Sequence, residues 1–176
     1  MTRKSIPNLR RLLLAGVLAA STALLAACGD SSTPVAASTE TKIEQSATTA
    51  IYALTLSIGP SEKMLTPEEA KTAKDGEVMV SGEMAVAMSD MATTQHLEVF
   101  VKNQKSGAMV GDQPVTIQFT NDATKEETIV PVAVMYGLSE GFADTHFGNN
   151  IMLMPGNYTI VVAVGNEQAT FLVNMP

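Results

Sequence analysis

Near the carboxyl end, apolar and polar side chains alternate with a period of two. Tyr158, Ile160, Val162 and Val164 share one face, and after a Gly165-Asn166-Glu167 turn the pattern resumes at Phe171 and Val173. A period of two marks a strand with one buried face, and two such runs joined by a short glycine turn make a hairpin. Upstream, short apolar runs are broken by turn residues about every eight to twelve positions, which is the spacing of a strand-rich domain. Strands are predicted over residues 51–58, 78–88, 94–102, 115–120, 128–135, 158–165 and 168–174. Strands of this number and length form a two-sheet sandwich. Thr66-Pro67-Glu68-Glu69 is the one convincing helix start, with Thr66 as cap, Pro67 at the first helical position and Glu69 closing a capping box. Tyr158, after Pro155-Gly156-Asn157, is read as a core ring whose hydroxyl bonds backbone.

The amino-terminal pattern is different. Arg3, Lys4, Arg10 and Arg11 precede an apolar run over residues 12–27, close in length to a signal h-region and short for a membrane span. The run ends Leu25-Ala26-Ala27-Cys28, which resembles the lipobox at which exported lipoproteins are cut and acylated. Cys28 is the chain's single cysteine, so an exported protein has no disulfide partner for it. Residues 1–27 are therefore read as a signal peptide and Cys28 as a lipid anchor. Two or more acyl chains give stable membrane attachment without a transmembrane helix. The expected location is the cell envelope, in the periplasm or on the outer face of the cytoplasmic membrane.

Residues 29–49 are rich in Ser, Thr, Ala and acids and poor in large apolar groups, a composition that cannot offset its ordering entropy. With Cys28 they are read as a flexible tether, leaving residues 50–176 as one domain large enough for its own core.

Charge narrows the function. The formal net charge of the whole chain is -7, and cleavage at Cys28 would remove positive charges only. No arginine follows Arg11, so the guanidinium fork that recognises phosphates and guanine edges is missing, and nucleic acid is not an expected partner. An acidic surface suits cations. Enzyme signatures are also missing: there is no nucleophile with its base, no phosphate loop and no His-Glu-x-x-His. Two imidazoles and a carboxylate are able to activate water on zinc, but nothing in the sequence identifies a substrate.

The chain has two histidines. In Thr94-Gln95-His96-Leu97-Glu98-Val99-Phe100-Val101, alternation puts Leu97, Val99 and Val101 on one strand face and His96, Glu98 and Phe100 on the other. Imidazole and carboxylate then stand about 7 Å apart at Cα and can converge on one ion. On spacing alone, a solvent-facing polar pair is the commoner origin of such a pattern. His146 lies in Gly141-Phe142-Ala143-Asp144-Thr145-His146-Phe147-Gly148-Asn149-Asn150, read as a loop of the kind that carries function. Methionines are abundant, and thioethers select Cu(I). Met84 and Met88 read as core filling, and Met91 as a turn residue.

His96-Leu97-Glu98, Val130-Pro131-Val132, His146-Phe147-Gly148-Asn149-Asn150-Ile151 and Pro155-Gly156-Asn157-Tyr158 together resemble the periplasmic iron-transport accessory family, over roughly residue 94 to the carboxyl terminus. The resemblance implies an all-β domain, an immunoglobulin-like antiparallel β-sandwich of about seven strands. It also implies a protein, often dimeric, that binds a copper or iron ion and works beside a high-affinity iron permease or other metal transporter. By motif, the family's ligands fall on His96, Glu98 and His146. Where relatives carry a further histidine after His-Leu-Glu this chain has Val101, and where they carry a methionine after the proline it has Val132. Met135, three residues on, is the first candidate for the thioether, ahead of Met91 and Met84. Two readings follow: a metal-binding accessory protein that hands its ion to a transporter, and a structural or adhesive sandwich with a degenerate metal site.

Overall fold

The closing hairpin forms as its alternation predicts. In the computed structural model, which describes residues 42–80 and 95–176, Gly156–Val164 and Glu167–Met175 pair antiparallel from end to end. Tyr158, Ile160, Val162 and Val164 are buried, and so are Ala169, Phe171, Val173 and Met175 on the partner strand. Tyr158 packs edge-on against Phe119, and its hydroxyl donates to the Met154 carbonyl at 3.0 Å.

The described residues form eleven strands: β1 Ile43–Thr48, β2 Tyr52–Pro60, β3 Met64–Leu65, β4 Glu77–Met79, β5 Gln95–Asn103, β6 Val115–Asn121, β7 Glu127–Ile129, β8 Ala133–Gly137, β9 His146–Ile151, β10 Gly156–Val164 and β11 Glu167–Met175. They make two sheets, one in the order β1-β2-β5-β9-β8-β4-β3 and one in the order β11-β10-β6-β7. The fold is thus a two-sheet β-sandwich. All pairs are antiparallel except the two-residue pairing of β3 with β4. Leu54, Leu56, Ile58, Leu97, Val99, Val101 and Phe147 from the larger sheet meet Ile117, Ile160, Val162 and Phe171 from the smaller one in a single buried core. The short helix α1, Pro67–Ala70, carries the predicted capping box: the Glu69 amide donates to Thr66 Oγ1 at 3.3 Å, and the Thr66 amide donates to the Glu69 carboxylate at 2.8 Å.

Three readings of the sequence are corrected, and a fourth is described only in part. The stretch assigned to the tether contains β1, which pairs with β2 over its whole length and lies in the compact unit Ser38–Pro176. Its weakly apolar alternation of Ile43, Gln45 and Ala47 is enough because the neighbouring β2 supplies the ladder. The run 128–135 is not one strand. Pro131 has no amide to donate, and the chain leaves the smaller sheet after β7 to enter the larger one as β8. The segment 141–150 is not a loop throughout: a 3₁₀ turn, Gly141–Asp144, leads into β9, an inner strand whose residues are all buried. The expected strand 78–88 begins as β4, one residue early, and its residues 81–88 lie outside the described residues, as do Cys28, Met84, Met88 and Met91.

β9 is central because β5 and β8 flank it. Gly148 permits this packing: a Cβ there would overlap the Leu97 carbonyl of β5, so only glycine lets the two strands lie at this separation. That close approach fixes the register in which His96 stands opposite Asn150 and Glu98 opposite Gly148.

Candidate metal centre

Because side chains alternate along a strand, every second residue of β5 points away from the core. His96, Glu98 and Phe100 share that outer face of the larger sheet. The ladder places His146 and Gly148 of β9 beside them, then Met135 and Ala133 of β8, then Met79 and Glu77 of β4. An outer sheet face normally meets water, yet His96, His146, Met79 and Met135 are 2% exposed or less. This face therefore holds a second interior, with a small apolar cluster of Met79, Ala133 and Met135 against which Met64 packs.

One ligand atom from each of His96, Glu98 and His146 lies within 4.8 Å of the other two. The two imidazoles meet edge to face, with centroids 6.0 Å apart, and Phe100 lies 5.1 Å from the His146 ring. Met135 is the cross-strand neighbour of His146, and Met79 that of Met135, so on the same face Met135 stands beside the set and Met79 one strand further out. Of the sequence candidates, His96, Glu98, His146 and Met135 thus meet on one face, whereas Val101 and Val132 pack with the core.

Both imidazoles are oriented by their Nδ1 atoms. His96 Nδ1 is 2.9 Å from Asn150 Oδ1, and that oxygen also accepts the Glu62 amide while Asn150 Nδ2 donates to the Glu62 carbonyl. His146 Nδ1 is 2.7 Å from the Asp144 carbonyl oxygen. Both partners only accept, so Nδ1 carries a proton in each ring, and in the neutral ring Nε2 keeps a lone pair. That is how metal-ligating histidines are held in position.

The Nε2 atoms of His96 and His146 and one carboxylate oxygen each of Glu77 and Glu98 are buried without a hydrogen-bond partner. Glu77 Oε2 stands 3.3 Å from His146 Nε2, an ion-pair separation if the ring is protonated, and Lys42 Nζ stands 3.6 Å from Glu98 Oε2. A buried polar atom left unpaired costs about 1–3 kcal/mol; protonation of His146 lets it pair with Glu77, and Lys42 partly balances Glu98, which leaves His96 Nε2 with no partner on this face. A cation bound by the lone pairs and carboxylates satisfies all four. Glu77 was not legible as a member of this group: Glu77-Val78-Met79 has no motif, and only the pairing of β4 with β8 carries it there. Asn150, the residue that orients His96, was visible only as part of the His146 motif.

The two rings titrate in opposite directions. Burial pushes His96 below the usual histidine value, and the Asn150 contact and the charges of Glu98 and Glu77 offset this only in part. Burial acts the same way on His146, but there the Glu77 carboxylate, the Asp144 carbonyl and the charge of Glu98 outweigh it, and the pKa is raised. A ligating imidazole must be neutral, so a metal competes with a proton at His146 first. Affinity is expected to decline as pH falls through the raised His146 value, starting above the ordinary 6.5 or so, while His96 adds its share only below it. Glu77→Gln removes the main cause of the raised value and should shift the onset to lower pH. Metal titrations of the two proteins across the neutral range check this, and identical onsets would refute it.

No family model and no curated protein sequence matches the chain. Among solved structures it is similar to FetP of uropathogenic Escherichia coli strain F11, in its as-isolated form after recombinant expression in the periplasm. The TM-score is 0.53 at 12% sequence identity, over 77% of this chain and 96% of that one. The likeness extends over nearly all of FetP, and at this identity it is a likeness of fold.

Proposed function

We propose that this protein is a lipid-anchored, extracytoplasmic metal-binding protein that takes up iron or copper and hands the ion to a membrane transporter. The observation that carries the reading is the convergence of four unpartnered buried atoms, on His96, His146, Glu98 and Glu77, with Met135 in register beside them. A purely structural or adhesive sandwich would keep His96 Nε2 buried without a partner and rely on the His146–Glu77 and Lys42–Glu98 ion pairs for the rest, whereas a cation binder satisfies all four on loading. The similarity of fold to FetP and the sequence resemblance to iron-transport accessory proteins support the same reading. No helix among the described residues is long and apolar enough to cross a membrane. In this reading attachment comes through Cys28, and a dimer beside an iron permease is the expected assembly.

The donor set predicts how selectivity is divided. Imidazole serves both metals, carboxylate favours the harder ion and thioether the softer. Glu98→Gln should weaken Fe(II) binding more than Cu(I) binding, and Met135→Leu the reverse, each by at least about 100-fold for the affected ion, more than the loss of a supporting contact costs. Anaerobic titration of metal-free wild-type protein and both variants with the two ions tests this. Wild-type protein that takes up neither copper nor iron at micromolar concentration would hand the case to the structural sandwich.

A further inference from the structure

The side chain of Asn150 behaves as a piece of backbone. It stands opposite His96 in the ladder between β9 and β5 and is buried. Its Oδ1 accepts both the His96 ring, at 2.9 Å, and the Glu62 amide, at 3.0 Å, while its Nδ2 donates to the Glu62 carbonyl at 2.6 Å. Residues 61–63 join β2 to β3 and belong to neither strand, so the peptide groups of Glu62 find in Asn150 the two-point pairing that a strand would otherwise supply. The Lys63 carbonyl is anchored on the other half of the site. It accepts the Glu77 amide at 2.7 Å, and the Glu77 carboxylate is the group beside His146 Nε2. Gly76 allows that approach, because a Cβ there would overlap the Lys63 carbonyl. The strap of residues 61–63 thus runs from the contact that orients His96 to the residue that faces His146. Any acceptor could orient an imidazole, but an amide that also holds both peptide groups of Glu62 links the ring to the strap.

We propose that Asn150 is a positioning residue that couples the His96 ring to the strap at Glu62 and Lys63, so that an ion on the histidine set steadies the strap and displacement of the strap weakens the hold on the ion. The proposal rests on the reading of His96, Glu98 and His146 as a metal centre. Without an ion, His96 Nε2 has no partner and the ring is held through Nδ1. Coordination at Nε2 fixes the ring and draws electron density from it, which makes Nδ1–H a stronger donor to Asn150 Oδ1. Density drawn to Oδ1 polarises the amide in turn, and Nδ2 donates more strongly to the Glu62 carbonyl. Linkage makes the effect reciprocal: the factor by which the ion favours the closed strap is the factor by which opening the strap lowers affinity for the ion. A protein that gives up its ion needs such a way of loosening it, and the exposed Lys63 leaves the strap within reach of a partner.

The test reads the Glu62 amide by hydrogen exchange, with Zn(II) as a diamagnetic probe of imidazole and carboxylate ligands. In wild-type protein, saturating Zn(II) should slow exchange of this amide by about tenfold. Asn150→Asp keeps an acceptor for the ring but turns an oxygen toward the Glu62 carbonyl, and at saturating Zn(II) it should lose the slowing. Asn150→Ala should lose it too and bind Zn(II) about 10–100-fold more weakly. An Asn150 with a structural role alone would speed exchange to the same extent with and without the ion and leave the slowing in place. Equal slowing in wild-type protein and the variants, or none in saturated wild-type protein, would overturn the coupling while leaving the metal centre standing. Wild-type protein that binds neither Zn(II), copper nor iron would overturn the metal centre itself, and the coupling with it.

Discussion

The double variant His96→Ala/His146→Ala is expected to bind neither Cu(II) nor Fe(II) measurably. Each imidazole is held by its Nδ1 contact so that Nε2 faces the other ligands. Perturbing only a supporting contact of a metal ligand costs about 10–100-fold in affinity, so removing one ligand outright should cost at least about 100-fold, and removing both should abolish binding. A second readout follows from linkage. An ion that binds only the folded protein stabilises it by about 4 kcal/mol when present at a thousand times its dissociation constant. Wild-type protein should therefore melt at a higher temperature with metal than without, and the double variant should show no such shift. The metal-free double variant also serves as the folding control, since it loses two unpaired buried nitrogens along with the packing of two rings. Wild-type affinity in this variant would mean that neither histidine is a ligand.

A chain beginning at Ala50 should be much less stable than one beginning at Lys42. The shorter chain lacks β1, which pairs with β2 from Ile43↔Ile58 to Thr48↔Ala53 and packs Ile43 and Ala47 against the core. It also loses the hydrogen bond from Gln45 Nε2 to the Leu172 carbonyl, 2.7 Å, which links β1 to the edge of the smaller sheet. Loss of the β1 ladder and of the apolar contacts of Ile43 and Ala47 is expected to lower stability by about 1–3 kcal/mol, a sizeable part of the 5–15 kcal/mol or so that holds a typical domain together. Removal of β1 would also turn β2 into an exposed edge and invite association between chains. Urea unfolding of the two chains measures the difference; coincident midpoints would show that β1 contributes nothing.

Where one face of a strand meets the core and the other does not, the sequence alone was a sufficient guide. β5, β6, β10 and β11 follow from alternation because their inward residues are apolar and their outward ones mostly polar, Phe100, Val161, Ala163 and Leu172 excepted. The same period placed His96 and Glu98 on one face, and the capping box of α1 was legible because all its parts are local. β9 failed for a definite reason. His146, Gly148, Asn149 and Asn150 are poor strand formers by composition and carry no alternation, since both faces of the strand are buried and one of them is polar. β5 and β8 impose the extended conformation by pairing on either side, a tertiary effect that local preference does not record.

The site divides along the same line. Sequence determined which residue types were available: two histidines, a glutamate two positions from one of them, and many thioethers. It also determined, through the period of a strand, that His96 and Glu98 face the same way. Only the tertiary structure decided that His146 joins them, that Met135 stands next to His146, and that Glu77 from β4 completes the buried polar group. Strand order in the larger sheet sets those neighbours, and strand order depends on long-range pairing among segments far apart in the chain. It depends too on the close approach that Gly148 allows between β5 and β9, where the absence of a side chain fixes the register that brings the ligands together.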